Sequence, residues 1–318
     1  MKVIKLTTPW NHNYLSKTPG NSGVFGNFKF EIDNGVRECD YWVVWGGLKR
    51  AQKVKCPADN IFFVTDEAHE QRKFNSDFLN QFAAVITQRK DVNHSTVLST
   101  HDLGIWHFSS TYDQVLALQE VKKTKEISAV ASDLTLLDGH KKRFAFINQL
   151  IGHYKKRIDF FGRGFSFLQD KADGLLPYKY SIAIENSYLP DYFTEKLFEC
   201  FLCHTMPVYY GCPNLEDYFD SRAFLRIDIS NLAQSIATID DAVQYDIFRE
   251  RLPFILEAKR VYMEKYLVFP ALIQILSSYA GIKSSKKRLN VLNPEHQFGL
   301  SLPRKVINLA RQTYKRIM

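Results

Sequence analysis

Short apolar runs that end in polar turns recur along the first third of the chain. They are Val3–Leu6, Tyr41–Trp45, Ile61–Val64 and Phe82–Thr87, and longer polar or amphipathic stretches separate them. Short strands that alternate with helical stretches are typical of a largely parallel sheet. We therefore predict an α/β fold for this part of the chain.

The alternation pauses between Ile105 and Glu126, where we predict a linker, and then resumes. Further strands are predicted at Ile127–Ala131, Ile158–Phe161, Tyr180–Ile184, Met206–Tyr210 and Ala223–Ile227. The pattern predicts one helix from about Gly139 to His153, with Asp138 as its N-cap, and another from Thr194 to His204. Residues 231–279 are predicted to be mostly helical.

A chain of 318 residues is long enough for two domains of ordinary size. We predict an N-terminal domain over residues 1–115, a C-terminal domain over 116–280 and a basic tail over 281–318. Both domains show the alternation that is typical of a doubly wound, Rossmann-like α/β fold. Such folds bind ligands at the carboxyl ends of their strands.

The helix that begins Thr194-Glu195-Lys196 has a cation in its first turn. A lysine there opposes the positive end of the helix dipole, so it either bends into water or faces an anion. The strand before it ends Ile184-Glu185-Asn186-Ser187 and delivers polar side chains to the same edge. An anion at this helix start would receive backbone N–H groups, the dipole and Lys196 together. An ordinary solvated lysine is the alternative.

The charge and the cysteine content limit the kinds of partner and cellular location that we expect. The net charge of +8 favours anionic partners, but Lys and Arg are spread along the chain, which is unlike a nucleic-acid-binding protein. Five cysteines and an N-terminus without an apolar signal segment indicate free thiols and a cytoplasmic location. The run Cys200-Phe201-Leu202-Cys203-His204 spells a haem-attachment motif. Its cysteines share a helix face with Lys196, so we interpret them as buried packing residues.

Four motifs around this helix occur in a characteristic order. They are Tyr178-Lys179-Tyr180, Ile184-Glu185-Asn186-Ser187, Asp191-Tyr192-Phe193-Thr194-Glu195-Lys196 and Pro207-Val208-Tyr209-Tyr210-Gly211. In order and spacing they resemble the donor-binding signature of the α-1,3/1,4-fucosyltransferases, glycosyltransferase family 10. The resemblance is dense from about Phe160 to Phe219. It implies a GT-B fold, in which an N-terminal acceptor domain and a C-terminal donor domain face a central cleft.

The resemblance also implies that GDP-β-L-fucose is the donor, and it suggests which residues bind it. Lys196 would contact the diphosphate, and Arg143 would be a second phosphate-binding cation, with Lys141 and Lys142 as close alternatives. Glu195, Asn186 and Tyr192 would line the nucleotide-sugar pocket. The donor-binding residues that we predict are Arg143, Glu185, Asn186, Ser187, Tyr192, Thr194, Glu195 and Lys196.

Glycosyl transfer also needs a base for the proton of the acceptor hydroxyl. The family places a carboxylate on a loop after a strand of the N-terminal domain. In "IFFVTDEAHEQRKF" this position best matches Glu67, with Asp66 and Glu70 as alternatives. Fixed cations and a helix N-terminus stabilise a departing diphosphate and can replace a metal ion. Because no Asp-x-Asp motif follows a predicted strand, we predict neither a metal nor another cofactor.

The favoured hypothesis is therefore an inverting fucosyltransferase that acts on a hydroxyl of an oligosaccharide or glycolipid acceptor. The family suggests α-1,3 or α-1,4 linkage to N-acetylglucosamine or glucose in a surface polysaccharide such as lipopolysaccharide. One alternative keeps the enzyme class and changes the nucleotide sugar. Another is a non-catalytic nucleotide-sugar or glycan-binding protein on the same scaffold.

The tail "SLPRKVINLARQTYKRIM" leaves two interpretations open. Its apolar residues recur at helical spacing among five basic residues, which is typical of a helix that lies on an anionic membrane. A C-terminal helix that packs on its own domain would have the same pattern. In the first case the protein would be peripheral to the inner face of the membrane.

Overall fold

The structure, a computed structural model, describes residues 1–65, 72–279 and 286–298. The chain forms two compact units. The first combines Met1–Thr100 with the chain from Ala271 onward, and the second is His101–Pro270. The domain boundaries predicted at residues 115 and 280 did not include this return of the chain to the first unit.

The first unit is built on a seven-stranded sheet. In chain order its strands are β1 (Lys2–Thr7), β2 (Val24–Phe25), β3 (Phe28–Ile32), β4 (Tyr41–Trp45), β6 (Ile61–Val64), β7 (Ala84–Thr87) and β8 (Val97–Ser99), and β5 (Gln52–Cys56) lies outside the sheet. The spatial order is β2-β3-β1-β4-β6-β7-β8, and only the β2–β3 pair is antiparallel. Every residue of β4 and β6 is buried, as expected for inner strands of a parallel sheet.

The remaining elements of the first unit include a short helix, α1 (Ser76–Leu79), and a strand from the end of the described chain. That strand (Arg288–Leu292) pairs antiparallel with β5, and Leu292 joins Val54 and Cys56 in one hydrophobic cluster. Sequence periodicity did not indicate this pairing, because its two partners lie more than two hundred residues apart in the chain.

The second unit has a five-stranded, all-parallel sheet. After helix α2 (Tyr112–Ala117) come β9 (Lys125–Val130), α3 (Asp138–Tyr154), β10 (Asp159–Phe161), β11 (Tyr178–Ile184), α4 (Glu195–Leu202), β12 (Met206–Tyr210), β13 (Leu225–Arg226), α5 (Leu232–Gln244) and α6 (Ile247–Val261). The strand order is β10-β9-β11-β12-β13. This places the carboxyl ends of β9 and β11 side by side at one edge of the sheet.

The helical region that the sequence predicted after residue 231 is confirmed. Helix α6 is followed by a π-helical turn (Tyr262–Tyr266) and by α7 (Val268–Ser278). Among the helices of the described residues, none combines the length and the hydrophobicity that a bilayer crossing requires.

Most predicted strands are confirmed, and Tyr41–Trp45, Ile61–Val64 and Met206–Tyr210 have the predicted bounds. The predicted N-cap Asp138 is wrong, because Asp138 is the first residue of α3 and its exposed carboxylate pairs with Lys141 at 3.2 Å instead. The predicted linker from Ile105 to Glu126 is also structured in part. It contains α2, whose Thr111 and Gln114 form a capping box, and the fully buried Trp106.

Candidate functional site

A cavity of about 860 Å³ opens in the second unit at the carboxyl ends of β9 and β11. Its walls come from Val130–Ser132 after β9, the buried face of α3, the loop 162–171 after β10, and the first turn of α4. The volume is within the range of pockets that bind cofactors and small molecules. The location is where parallel α/β sheets bind ligands.

The start of helix α4 is held in place by a buried carboxylate. Thr194 is the N-cap, and its hydroxyl accepts from the backbone N–H of Lys196. Thr194 in turn donates its own backbone N–H and its hydroxyl to the carboxylate of Glu185, both at 2.7 Å. Because Glu185 directly follows strand β11 and is 1% exposed, the pair fixes the helix N-terminus to the end of that strand. The N-cap predicted at Thr194 is confirmed.

Lys196 lines the cavity instead of extending into solvent. Its Nζ lies 2.9 Å from the Thr194 hydroxyl, 3.0 Å from a Glu195 carboxylate oxygen and 3.4 Å from Glu185. Burial lowers the pKa of Lys196, but the attraction of Glu195 and Glu185 outweighs burial and raises it above its usual value. The ammonium is therefore permanently charged and is set at the positive end of the α4 dipole.

Glu195 and Lys196 belong to a chain of alternating charges. Lys171 lies 3.9 Å from Glu195 and 2.8 Å from Glu199, whose other oxygen accepts the backbone N–H of His107 at 2.6 Å. Burial raises the pKa of Glu195, but Lys196 and then Lys171 outweigh burial and lower the pKa below its usual range. Sequence reasoning missed Lys171 and Glu199, because no local pattern relates the loop before β11 to the middle of α4.

Arg143 is the second cation of the site. It is 5% exposed, lines the cavity, and donates from Nη1 to Asn186 and from Nη2 to the Ser132 hydroxyl at 3.0 Å. Its Nε has no hydrogen-bond partner among the described residues. The alternatives Lys141 and Lys142 are exposed on the other side of α3. The structure therefore brings Arg143, and neither of these lysines, to the cavity.

Helix α3 approaches the site closely because residue 139 is glycine. A Cβ atom at Gly139 would lie 1.6 Å from the backbone oxygen of Asn186. His140, one turn before Arg143 on the same face, is buried, and burial followed by the nearby Arg143 and Lys196 lowers its pKa to about 4. Its imidazole is therefore neutral at neutral pH and adds no charge to the site.

Of the eight predicted donor-binding residues, Arg143, Glu195 and Lys196 line the cavity. The other five do not line the cavity. Asn186 accepts from Arg143, Glu185 and Thr194 hold the start of α4, and Ser187 and Tyr192 are buried. Donor contact by any of the eight stays a prediction.

The predicted base Glu67 and its alternatives Asp66 and Glu70 lie outside the described residues, as does the tail from residue 299 onward. The described strand β6 ends at Val64, shortly before these carboxylates in the sequence. Over residues 1–65, 72–279 and 286–298, no three His, Cys, Asp or Glu side chains are grouped as metal ligands. Metal independence stays a prediction.

The cysteines of the haem-like motif are buried packing residues, as predicted. Cys200 and Cys203 are each 1% exposed, and all five cysteines of the chain are free and buried. Cys200 Sγ donates to the backbone oxygen of Lys196, so it packs beneath the first turn of α4. His204 is buried as well, and its Nε2 lies 2.9 Å from Nζ of Lys259. These groups support the site from below and do not reach the cavity.

The arrangement is suited to an anion with two or more charges. Two cations line the cavity, Lys196 from the first turn of α4 and Arg143 from the second turn of α3, and the positive end of the α4 dipole lies beside Lys196. Glu195 and Glu185 are the charged partners of Lys196 in the structure. An anion that binds here would therefore replace these carboxylates as the partner of Lys196.

Comparisons with known proteins agree with this geometry. Residues 120–246 match the profile of glycosyltransferase family 10 (fucosyltransferase), C-terminal domain. A fucosyltransferase-like protein of Arabidopsis thaliana is 29% identical over 163 residues, which are 50% of this chain and 31% of that protein. An α-(1,3)-fucosyltransferase of Helicobacter pylori is 30% identical over 70 residues, which are 22% of this chain and 15% of that protein. The chain thus matches less than a third of the length of either relative.

The fold is similar to that of a solved α1,3-fucosyltransferase crystallised with GDP-fucose. The TM-score is 0.52 at 18% identity, and the match covers 90% of this chain and 91% of that chain. The predicted GT-B type, with two Rossmann-like units, is therefore confirmed. The predicted enzyme class, glycosyltransferase, is the class of the matched family. Residues 120–246 of this chain are thus similar to the C-terminal domain of glycosyltransferase family 10, in agreement with the motif resemblance.

Proposed function

We propose that the protein transfers L-fucose from GDP-β-L-fucose to a hydroxyl of an acceptor glycan, with inversion at the anomeric carbon. The observation that carries the proposal is the position of Lys196, in the first turn of α4 and on the wall of a large cavity. The names of the matched relatives support fucose as the sugar and GDP-fucose as the donor. The acceptor that we propose is N-acetylglucosamine or glucose, joined through an α-1,3 or α-1,4 linkage.

The charges of the cavity suit the departure of GDP. When the bond between sugar and phosphate breaks, the diphosphate gains negative charge and the sugar ring gains positive charge. Lys196 and Arg143 are already charged and held in place, so they stabilise the departing diphosphate more than the bound donor. Because the two cations can supply the positive charge that the departing diphosphate needs, we propose that departure needs no metal ion.

Glu195 and Glu185 are the partners that Lys196 would exchange for a bound diphosphate. Both carboxylates contact Lys196 in the structure. When the diphosphate arrives, Lys196 turns towards it, Glu185 keeps its two hydrogen bonds from Thr194, and Glu195 keeps its attraction to Lys171. Neither carboxylate is left without a partner, which limits the cost of binding.

For the acceptor we propose Glu67 as the general base. Sequence position supports this choice, because Glu67 follows the buried strand β6, in the unit that does not contain the donor cavity. A carboxylate there would take the proton of the acceptor hydroxyl as the oxygen attacks the anomeric carbon. We also propose a cytoplasmic location, with the basic tail in contact with the inner face of the membrane.

An assay that measures the released nucleoside diphosphate, GDP or UDP, tests the proposal. The protein is mixed with GDP-fucose and a panel of oligosaccharide acceptors, with and without EDTA, and parallel reactions contain GDP-mannose, UDP-glucose or UDP-N-acetylglucosamine. Among the four donors, we expect only GDP-fucose to release its nucleotide, and only when an acceptor is present. The rate should be the same with and without EDTA. Release from another donor would point to a different sugar, and GDP binding without release would point to a non-catalytic binding protein.

A further inference from the structure

Phe167 is the most exposed large hydrophobic side chain in the described part of the chain. It is 88% exposed, yet it lies on the wall of the cavity. Its neighbour Phe165 packs against Phe144 and Phe160, at ring-centre distances of 6.5 and 6.1 Å. Phe167 makes no comparable ring contact within the described residues. A phenylalanine that stays in water forgoes the free energy of burial, and its place on the wall of a ligand-sized cavity would let a bound ligand cover the ring.

The loop that carries Phe167 is anchored on both sides. On one side, Gly162 donates its N–H to the oxygen of Ser166 at 2.9 Å, and Ser166 donates to Phe160 at 3.2 Å. The turn needs glycine at residue 162, where φ is +106° and a Cβ would lie 2.1 Å from the Ala131 oxygen. On the other side, Leu168 packs so close to Gly174 that a Cβ there would lie 2.8 Å away. The ring is therefore presented by an ordered backbone.

Phe167 and the two cations line the same cavity, but Phe167 lies on the loop after β10, whereas Arg143 and Lys196 lie on helices α3 and α4. Hydrogen bonds connect Arg143 to the loop that carries Phe167. Arg143 donates to the Ser132 hydroxyl, and the next residue, Asp133, donates its backbone N–H to the backbone oxygen of Arg163 in that loop at 3.0 Å. Arg163 also donates to the Asp133 carboxylate at 2.8 Å. The cavity thus combines a cationic region at the helix starts with an aromatic loop. A nucleoside diphosphate has two parts that complement these regions: a polyanion for the cations and a flat aromatic base for the aromatic loop.

We propose that Phe167 stacks on the purine base of the nucleotide donor and so contributes to nucleotide affinity and specificity. The inference rests on the proposed function, since it takes a nucleoside diphosphate sugar as the ligand. Aromatic rings stack on any base, and purines offer the larger surface. Phe167 therefore favours a purine over a pyrimidine nucleotide. Discrimination between guanine and adenine would come from polar groups of the cavity.

Titration calorimetry with GDP, UDP and inorganic pyrophosphate tests this role. We expect Phe167→Ala to weaken GDP binding about tenfold, UDP binding less, and pyrophosphate binding not at all. Phe167→Trp should restore GDP binding. Lys196→Ala should weaken GDP and pyrophosphate together, which separates the phosphate contact from the base contact. Tyr245→Ala is the matched control, because Tyr245 is a 69% exposed aromatic residue that does not line the cavity.

Three results would overturn the inference. Unchanged GDP affinity in Phe167→Ala, with tight binding by the wild-type protein, would exclude the stacking role and leave the proposed function standing. An equal loss of pyrophosphate binding would mean that the substitution disturbs the cationic region. If the wild-type protein binds neither GDP nor pyrophosphate, the proposed function and the inference both fail.

Discussion

Thr194 donates its backbone N–H and its hydroxyl to the two carboxylate oxygens of Glu185, each at 2.7 Å. Both residues are buried, and they join the first turn of α4 to the end of β11. The same hydroxyl contacts Nζ of Lys196 at 2.9 Å. The position of the lysine in the cavity thus depends on a buried pair that does not itself line the cavity.

Replacement of Thr194 should show this dependence. Thr194→Ala removes the cap and one of the two donors to the buried Glu185 carboxylate, so we expect a loss of about 2–4 kcal/mol in unfolding free energy. GDP affinity should fall too, because the start of α4 is released. Urea unfolding and calorimetry measure the two effects. Thr194→Ser keeps the hydroxyl and should lose less than about 1 kcal/mol. Equal losses in both variants would exclude the hydroxyl as the important group.

Two glycines in α3 allow a matched comparison. A Cβ at Gly139 would collide with the backbone of Asn186, whereas nothing lies within 4 Å of a Cβ at Gly152. We expect Gly139→Ala to cost about 3 kcal/mol, because backbone must move, and to weaken GDP binding through Arg143. Gly152→Ala should stabilise the protein by up to about 1 kcal/mol. The melting temperatures of the two variants, measured by thermal unfolding, test this expectation. Similar melting temperatures would contradict the close approach of α3 to the backbone of Asn186.

The proposed division of labour predicts opposite effects of two substitutions. Lys196→Ala should weaken GDP binding at least tenfold, because a charge-assisted contact to phosphate is lost. Glu67→Ala should change GDP binding less than about twofold and lower transfer by about 100-fold or more, as expected for the loss of a general base. Lys141→Ala, on the exposed side of α3, should change neither quantity. If GDP binding fell equally in the first two variants, the division would be wrong.

Acid should destabilise the protein through His204. Burial, followed by repulsion from Lys259 and Lys123, lowers the pKa of His204 to about 3. An unfolded chain has a histidine pKa of about 6.5, so between these values the unfolded state binds one more proton. Stability therefore falls as the pH is lowered through this window, and His204 accounts for about 2 kcal/mol between pH 7 and pH 5.

His204→Asn removes this titration. Asparagine tolerates the left-handed backbone at this position, where φ is +55°. Urea unfolding at pH 7, 6 and 5 should show a shallower loss of stability in the variant, even if its stability at pH 7 is lower. Parallel pH curves for the two proteins would show that His204 does not titrate in this way.

Much of the site could be predicted from local sequence. Threonine directly before an apolar helix is a favoured N-cap, as Thr194 shows. Because Lys196 follows two positions later, the sequence predicted a cation at the start of a helix without tertiary information. The strands of the second unit could also be predicted from the sequence, because inner strands of a parallel sheet are continuous apolar runs. The motif order then indicated the family.

Other features depend on contacts between distant residues. Leu137 precedes α3 in place of the predicted cap Asp138, and only the structure shows that the Asp138 carboxylate pairs with Lys141. The partners of Lys171 lie on α4, more than twenty residues away. Local periodicity carries no information about such pairs, because it reports which face of an element is apolar and not what that face meets.

The sequence by itself determined most of the elements, the cation at the start of α4 and the resemblance to glycosyltransferase family 10, because short-range patterns and motif spacing encode them. Tertiary structure decided which cation reaches the cavity, why residue 139 must be glycine, and that an exposed Phe167 lies on the cavity wall. These depend on how strands and helices pack, which places residues far apart in the chain within a few ångströms of one another.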